Sequence, residues 1–490
     1  MVRPALAWCI ALFAASPLVA QIPVADYAAR REALAARLGD GVVLAMGAGE
    51  PLTDEADFHQ YPGFAYLTGY TRMNAAFVMA VRGGQVTYQM LFEPPIDPRR
   101  ALYDGFAPDS AELQQAIGLG LRNSDELRPV LDALAGRGTL WVVADVHSRD
   151  FRTSDTLSAG RRLVEDFWAA HPGVTIRGAD AALDSMRVIK SPAELALLRR
   201  AVAITDSGHL AAMRFVRPGV NEGQVHATAD YTFRMAGASG ESYRAIVGSG
   251  PNSTSYHYRA NDRVMQSGEV VVLDMGALYD GYAADVTRTL PVSGTFTSDQ
   301  AAVYAIVRAA QRAAEAEARA GAPVAAGDAA IRAVLDTALA RLGLTEGPGA
   351  TFDPPWADAT RCQRVPVVCT QAFLYMAHGP GHGIGLEVHD VGGYSYSATG
   401  SFQRGEVFTI EPGVYVSTAL LDMLADTPRN RAFIAKVRGA VERYNNTGIR
   451  IEDDYLVTDS GVERLSLAPR EVAEIEAVMQ AAAKVRRRGN

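Results

Sequence analysis

Residues 268–290, GEVVVLDMGALYDGYAADVTRTL, set two aspartates into what otherwise reads as a buried β-hairpin. The two runs are β-branched and apolar, and Asp280-Gly281 between them is a turn signal. If Asp280 and Gly281 are the central pair of a two-residue turn, Asp274 lies opposite Thr287 and Asp285 opposite Gly276. A turn centred one residue earlier, on Tyr279-Asp280, sets Asp274 directly opposite Asp285. Both registers leave the carboxylates on one face, within reach of each other. Carboxylates buried that close repel and raise each other's pKa, so a cation between them is the economical explanation. A hairpin at the protein's edge, its aspartates solvated, is the competing reading, and the hairpin alone does not decide.

Further candidates lie downstream. Residues 376–394, MAHGPGHGIGLEVHDVGGY, hold His378, His382 and His389, three of the chain's nine histidines, among glycines that permit close backbone approach. Glu411 ends the apolar run of VFTIEPGVY, just before Pro412-Gly413, and Glu452 sits in GIRIEDDYLV, where strand alternation puts Arg450, Glu452 and Asp454 on one face. Each glutamate alone fits a solvated strand position. Together with two aspartates and a histidine they form an oxygen-rich set suited to two divalent metals.

The rest of the chain supplies context. At 490 residues it suggests two domains, and 48% hydrophobic with 21% charged residues is the composition of a soluble globular protein. A net charge of −8 excludes nucleic acid as the main partner, and the basic run 484–488 reads as a solvated tail. Residues 1–20 read as an export signal: Arg3 precedes an apolar core at 5–15, and Ala20 is a small residue for cleavage, with an earlier cut near Ser16 as the alternative. No apolar run is long enough for a membrane span. The expected location is therefore exported, periplasmic or secreted. Beyond the leader only Cys362 and Cys369 remain, and a small-loop disulfide is the preferred reading.

Residues 21–180 mix helices (24–38, 158–170) and strands (41–46, 75–81, 85–92, 140–146), which suggests an α/β domain that serves as lid or oligomerisation unit. A capping-box pattern at Ser191-Pro192-Ala193-Glu194 opens a helix to about Phe215. A helix at 222–235, a strand at 243–248 and a proline- and glycine-rich surface insertion at 347–370 follow. The second domain, 181–490, reads as α+β.

The ordered set Asp274, Asp285, His382, Glu411, Glu452, in the contexts LDMG, DVTRT, HGPGHGIGLEVHDVG, TIEPG and RIEDD, resembles the pita-bread metallopeptidases. It is most similar to their proline-directed branch, aminopeptidase P and prolidase, and more loosely the first domain is similar as well. The resemblance implies a pita-bread catalytic domain behind an α/β domain. It implies two divalent ions, manganese first and zinc or cobalt as alternatives. Asp274 would hold one ion, His382 and Glu411 the other, and Asp285 and Glu452 would bridge both. Water between the metals would be the nucleophile and Glu411 the base. His257 (in SYHYR), His378 and His389 would position substrate and stabilise the oxyanion. Arg450 would fix the carboxylates, with Tyr415 as a supporting contact. Partners would be proline-containing peptides, in a homo-oligomer, dimer or tetramer.

The branch offers two activities. Its dipeptidases carry a longer loop with an arginine for the substrate carboxylate, whereas here only residues 390–410 separate His389 from Glu411, and Arg404 is their sole arginine. This favours removal of one residue ahead of proline. The insertion at 417–446 resembles a dipeptidase segment and points the other way. A third reading, a non-catalytic pita-bread interaction protein, is disfavoured because such proteins lose metal ligands and all five are present.

Overall fold

The computed structural model describes residues 22–50, 58–95, 99, 101–104, 109–143, 159–355, 362–364, 367–394, 397 and 399–489. The leader at 1–20 lies outside the described residues, as do the end of the strand expected at 140–146 and part of the insertion at 347–370.

In the first half, strand Gly41–Met46 is nearly all buried. Alternation sends Val43 and Ala45 into one core and Val42 and Leu44 into another, on opposite faces. It pairs antiparallel with Ala76–Arg82 and parallel with Thr139–Val142. Gln85–Glu93, Leu121–Asn123 and Thr175–Gly178 complete a six-stranded mixed sheet. Helix Val24–Arg37 brings Leu34 to one face; Leu127–Ala135 and Ala159–Ala170 bring Leu131 and Phe167 to the other. Helix Asp180–Arg187 lays Leu183 and Met186 on the first of these cores. By packing, the first domain thus runs past residue 180, to a connector at 188–191.

Helix Pro192–Phe215 opens the second domain as its sequence pattern dictates. Glu194 N–H donates to the Ser191 hydroxyl at 3.3 Å, and Ser191 N–H to the Glu194 carboxylate at 2.9 Å. This helix and Glu222–Met235, Ser298–Glu317 and Val324–Arg341 cover small antiparallel sheets. One orders Val286–Pro291, Val270–Met275 and Ile246–Ser249; another orders Val407–Ile410, Asp453–Val457 and Val462–Arg464. Gly413–Val416 pairs with Thr447–Arg450. The strand expected from Tyr243 begins only at Ile246, and Tyr243 is left free to turn inward. The insertion at 417–446 folds as helices Thr418–Asp422 and Pro428–Arg443, and Cys362 is bonded to Cys369. No helix among the described residues is long and apolar enough to cross a membrane.

Buried ion pairs tie the two domains together. Arg30 of the first helix lies 3.3 Å from Glu194, which also accepts the Tyr282 hydroxyl at the hairpin tip at 3.0 Å. Arg187 and Lys190 donate to opposite oxygens of Asp390 at 2.5 and 3.0 Å, directly beside His389. Burial alone would raise the Asp390 carboxyl, but Lys190 and Arg187 outweigh it and hold it below its usual value. A carboxyl lowered by folding adds stability above its unfolded pKa, about 4, and that stability is lost as pH falls through the folded value. Among the described residues, Asp390→Asn leaves buried Lys190 without a carboxylate and Arg187 with only the more exposed Glu387 and Asp184, at a cost of about 3–5 kcal/mol. The urea midpoint of the variant is expected to fall clearly below wild type at pH 7, with the gap closing below about pH 4. A gap equally wide at both pH values would contradict this.

Candidate metal centre

The hairpin adopts the first of the two registers. Thr287 lies opposite Asp274, Tyr279 opposite Tyr282, and Asp280 and Gly281 form the turn with φ of 48° and 80°. Positive φ at both central positions is what an Asp-Gly pair accommodates. Asp274 and Asp285 are 7% and 5% exposed, which removes the solvated-edge reading. The Tyr243 hydroxyl lies 2.5 Å from an oxygen of each aspartate, so one proton is shared between two anions. Burial, and then the charges of Asp274 and Asp285, keep that phenol protonated. The second oxygen of Asp274 pairs with Arg450.

The two glutamates share a structural origin. Val407–Ile410 and Gly413–Val416 are separated by Glu411-Pro412, and their partners Asp453–Val457 and Thr447–Arg450 by Ile451-Glu452. The ladder therefore breaks on both strands at the same level, where Pro412 has no N–H to continue it. Glu411 and Glu452 occupy these facing breaks. The expected continuous strand through 449–457 is accordingly interrupted at Glu452, which bridges to Thr287 instead. Thr287 donates its hydroxyl to Glu452 Oε2 at 2.7 Å, whereas Glu452 Oε1 is buried without a hydrogen-bond partner.

His382 enters on the glycine-rich loop. A Cβ on Gly383 would lie 2.3 Å from the Val391 carbonyl oxygen, so only glycine lets the chain fold back this tightly. His382 Nδ1 lies 3.0 Å from the Gly383 carbonyl, which fixes a proton there and turns Nε2 towards the carboxylates. Nε2 is 3.4 Å from Glu411, 3.5 Å from Asp285 and 3.9 Å from Glu452. Asp285, His382 and Glu452 each offer a ligand atom, all within 4.8 Å of one another.

The charges call for a cation. Burial pushes Glu411 up to about 7 against the His382 and Arg450 charges, raises Asp285 against its hydrogen bond to His382, and raises Glu452 together with the charges of Asp285 and Glu411. Burial opposes a charged His382, but the hydrogen bond to Asp285 and the Glu411 carboxylate prevail and push it up to about 9. Protons are thus drawn to a place where positive charge is lacking. The orphaned Glu452 oxygen, the inward Nε2 and the oxygen-rich donor set fit a divalent metal.

Around this centre runs a second ring of contacts. Arg450 donates to the Tyr415 hydroxyl at 2.8 Å, and that hydroxyl lies 2.9 Å from His378 Nε2. Arg450 can only donate, so the Tyr415 O–H donates to Nε2, and His378 carries its proton on Nδ1, 2.8 Å from the Gly379 carbonyl. The His389 ring stands 4.2 Å from that of His382; burial, then the His382 and His257 charges, bring it down to about 4. It is neutral near pH 7. His257 is exposed beside it. All the candidates named from sequence thus gather in one place. Three contributors were not named. Tyr243 lies outside any motif with chemical spacing, whereas Tyr256, inside SYHYR with its ring 5.0 Å from that of His378, and Thr287, inside DVTRT, offer only a hydroxyl.

Comparison with known proteins agrees with this geometry. Residues 196–459 match the model of metallopeptidase family M24, and residues 27–141 match the N-terminal domain of aminopeptidase P. The chain is 30% identical over 479 residues to the Xaa-Pro aminopeptidase of Escherichia coli (strain K12), covering 95% of this chain and 100% of that one. The structure of Pseudomonas aeruginosa aminopeptidase PepP superposes with a TM-score of 0.78 at 28% identity, covering 95% of this chain and 99% of that one. A variant of Escherichia coli aminopeptidase P in complex with substrate gives 0.78 at 27% identity, covering 95% and 100%. Buried carboxylates around an inward-facing histidine, on a scaffold shared along almost the whole chain, place this protein in metallopeptidase family M24, within its proline-specific pita-bread branch.

Proposed function

We propose that the protein is an Xaa-Pro aminopeptidase, removing the first residue of peptides whose second residue is proline. The observation that carries this reading is the buried cluster of Asp285, His382 and Glu452, with half-buried Glu411 3.4 Å from His382 and an unpartnered Glu452 oxygen, on the scaffold of the Xaa-Pro aminopeptidases it resembles. Two divalent ions, manganese in the first instance, would be held by Asp274 on one side and His382 and Glu411 on the other, with Asp285 and Glu452 between. Bound there, divalent metal supplies Lewis acidity and a nucleophilic water at neutral pH.

The chain's own groups do the rest. Glu411, the most exposed of the four acids, takes a proton from the attacking water and returns it to the proline nitrogen as the bond breaks. His389, held neutral, and His257 offer N–H groups where negative charge develops on the carbonyl oxygen. Arg450 and Tyr243 hold Asp274 from either side, and the Tyr415 contact fixes the tautomer of His378.

The dipeptidase alternative lacks its clamp. Arg404, the sole arginine of 390–410, is exposed and pairs with Asp459 at 3.2 Å. An export signal at 1–20 and assembly into a dimer or tetramer, with the first domain helping to close the site, complete the reading.

Supplied with manganese, the purified protein is expected to cleave an Arg-Pro-Pro peptide after its first residue and to lose this activity on chelation; activity confined to Xaa-Pro dipeptides would refute the aminopeptidase reading. Thr287→Val removes the hydroxyl that steadies Glu452 and is expected to weaken manganese binding about 10–100-fold; calorimetry giving wild-type affinity would count against the role of Thr287. N-terminal sequencing of exported protein should begin near Gln21, and light scattering should show an oligomer; an intact Met1 or a monomer would remove the corresponding proposal.

A further inference from the structure

His257 is carried on the loop 249–263, and a buried carboxylate far from the cluster in sequence organises that loop. Glu222 opens helix Glu222–Met235, where the positive end of the helix favours an acid, and it is 0% exposed. Its Oε1 accepts the Ser249 N–H and hydroxyl, each at 2.7 Å, and Asn252 Nδ2 at 3.3 Å. Its Oε2 accepts the Arg263 N–H at 3.0 Å and lies 2.9 Å from the Tyr258 hydroxyl, whose one proton is shared with Asp262 Oδ1 at the same distance. The loop therefore leaves Glu222 at Ser249 and returns to it at Tyr258 and Arg263.

Tyr256, on the other side of His257, is fastened to the metal centre's outer ring. Its hydroxyl accepts the Ala377 N–H at 3.1 Å, and its carbonyl accepts Arg450 at 3.4 Å. Its ring lies 5.0 Å from His378 and 4.6 Å from Tyr415. An exposed imidazole thus stands between two tyrosines, one held by the centre and one by Glu222. Only a carboxylate can accept from all of these donors, because an amide would turn its own N–H groups towards two of them.

We propose that Glu222 is a positioning residue: by gathering Ser249, Tyr258 and Arg263 it fixes the main chain at His257 so that the imidazole meets the substrate. This rests on the aminopeptidase reading, and its test separates the two. Glu222→Gln is expected to lower kcat/KM on Arg-Pro-Pro about tenfold, as one buried donor left unpaired would. Tyr258→Phe should do so to a smaller degree. In a His257→Ala background neither substitution should lower it further, and manganese affinity should stay at the wild-type value throughout. Losses of equal size with and without His257, or losses explained by weaker manganese binding, overturn the proposal. If Glu222→Gln does not fold, the Tyr258→Phe cycle decides alone. Should wild type fail to cleave the peptide, the functional reading falls, and hydrogen exchange still decides the clamp. Exchange across 249–263 should quicken in the variant that folds, and unchanged exchange overturns the proposal.

Discussion

Carboxylates packed into a nearly dry space are the constraint on which the second domain depends. An unpaired buried charge costs several kcal/mol, and four acids here share one small volume. Each neighbour answers that problem in its own way. Arg450 neutralises one aspartate, Tyr243 lends one proton to two, Thr287 satisfies one glutamate oxygen, and His382 is drawn towards its charged form. What these groups leave unanswered is the place of the metal. The same electrostatic pressure that would unfold an ordinary core is, in this family, the means of holding a cation.

Irregularity in the backbone is what delivers the acids. A glutamate in a regular strand alternates in or out with its neighbours and is locked into a ladder. Glu411 and Glu452 escape that alternation because both strands break at one level around Pro412. The glycine-rich loop plays the equivalent part for His382, crossing its own backbone at a distance that no side chain would allow.

Much of this was legible beforehand, and what was not has physical reasons. Hairpin turns and helix starts are local: Asp280-Gly281 and the Ser191 capping box stand where short-range chemistry puts them. The five candidate ligands were legible as an ordered set through a family resemblance, since order and flanking residues survive where spacing varies. The supporting contacts were not. Tyr243 acts across 31 and 42 residues of chain, and Glu222 gathers donors as many as 41 residues away, so their meaning exists only after folding. The choice between two hairpin registers likewise waited on which turn geometry the tip adopted. Strand continuity through Glu452 misled because periodicity in a sequence does not reveal that the partner strand is broken.

Glu194 touches three things at once: the start of its own helix, Arg30 of the first domain and Tyr282 at the tip of the hairpin that bears Asp274 and Asp285. The first domain contributes none of the five candidate ligands, yet through this residue it braces the far end of the element that carries two of them. The two domains are therefore poor interchangeable parts. A chimera that joined this second domain to a relative's first domain would need to bring Arg30 with it, along with Arg187 and Lys190 at the connector, or the ligands would inherit the looseness of the seam.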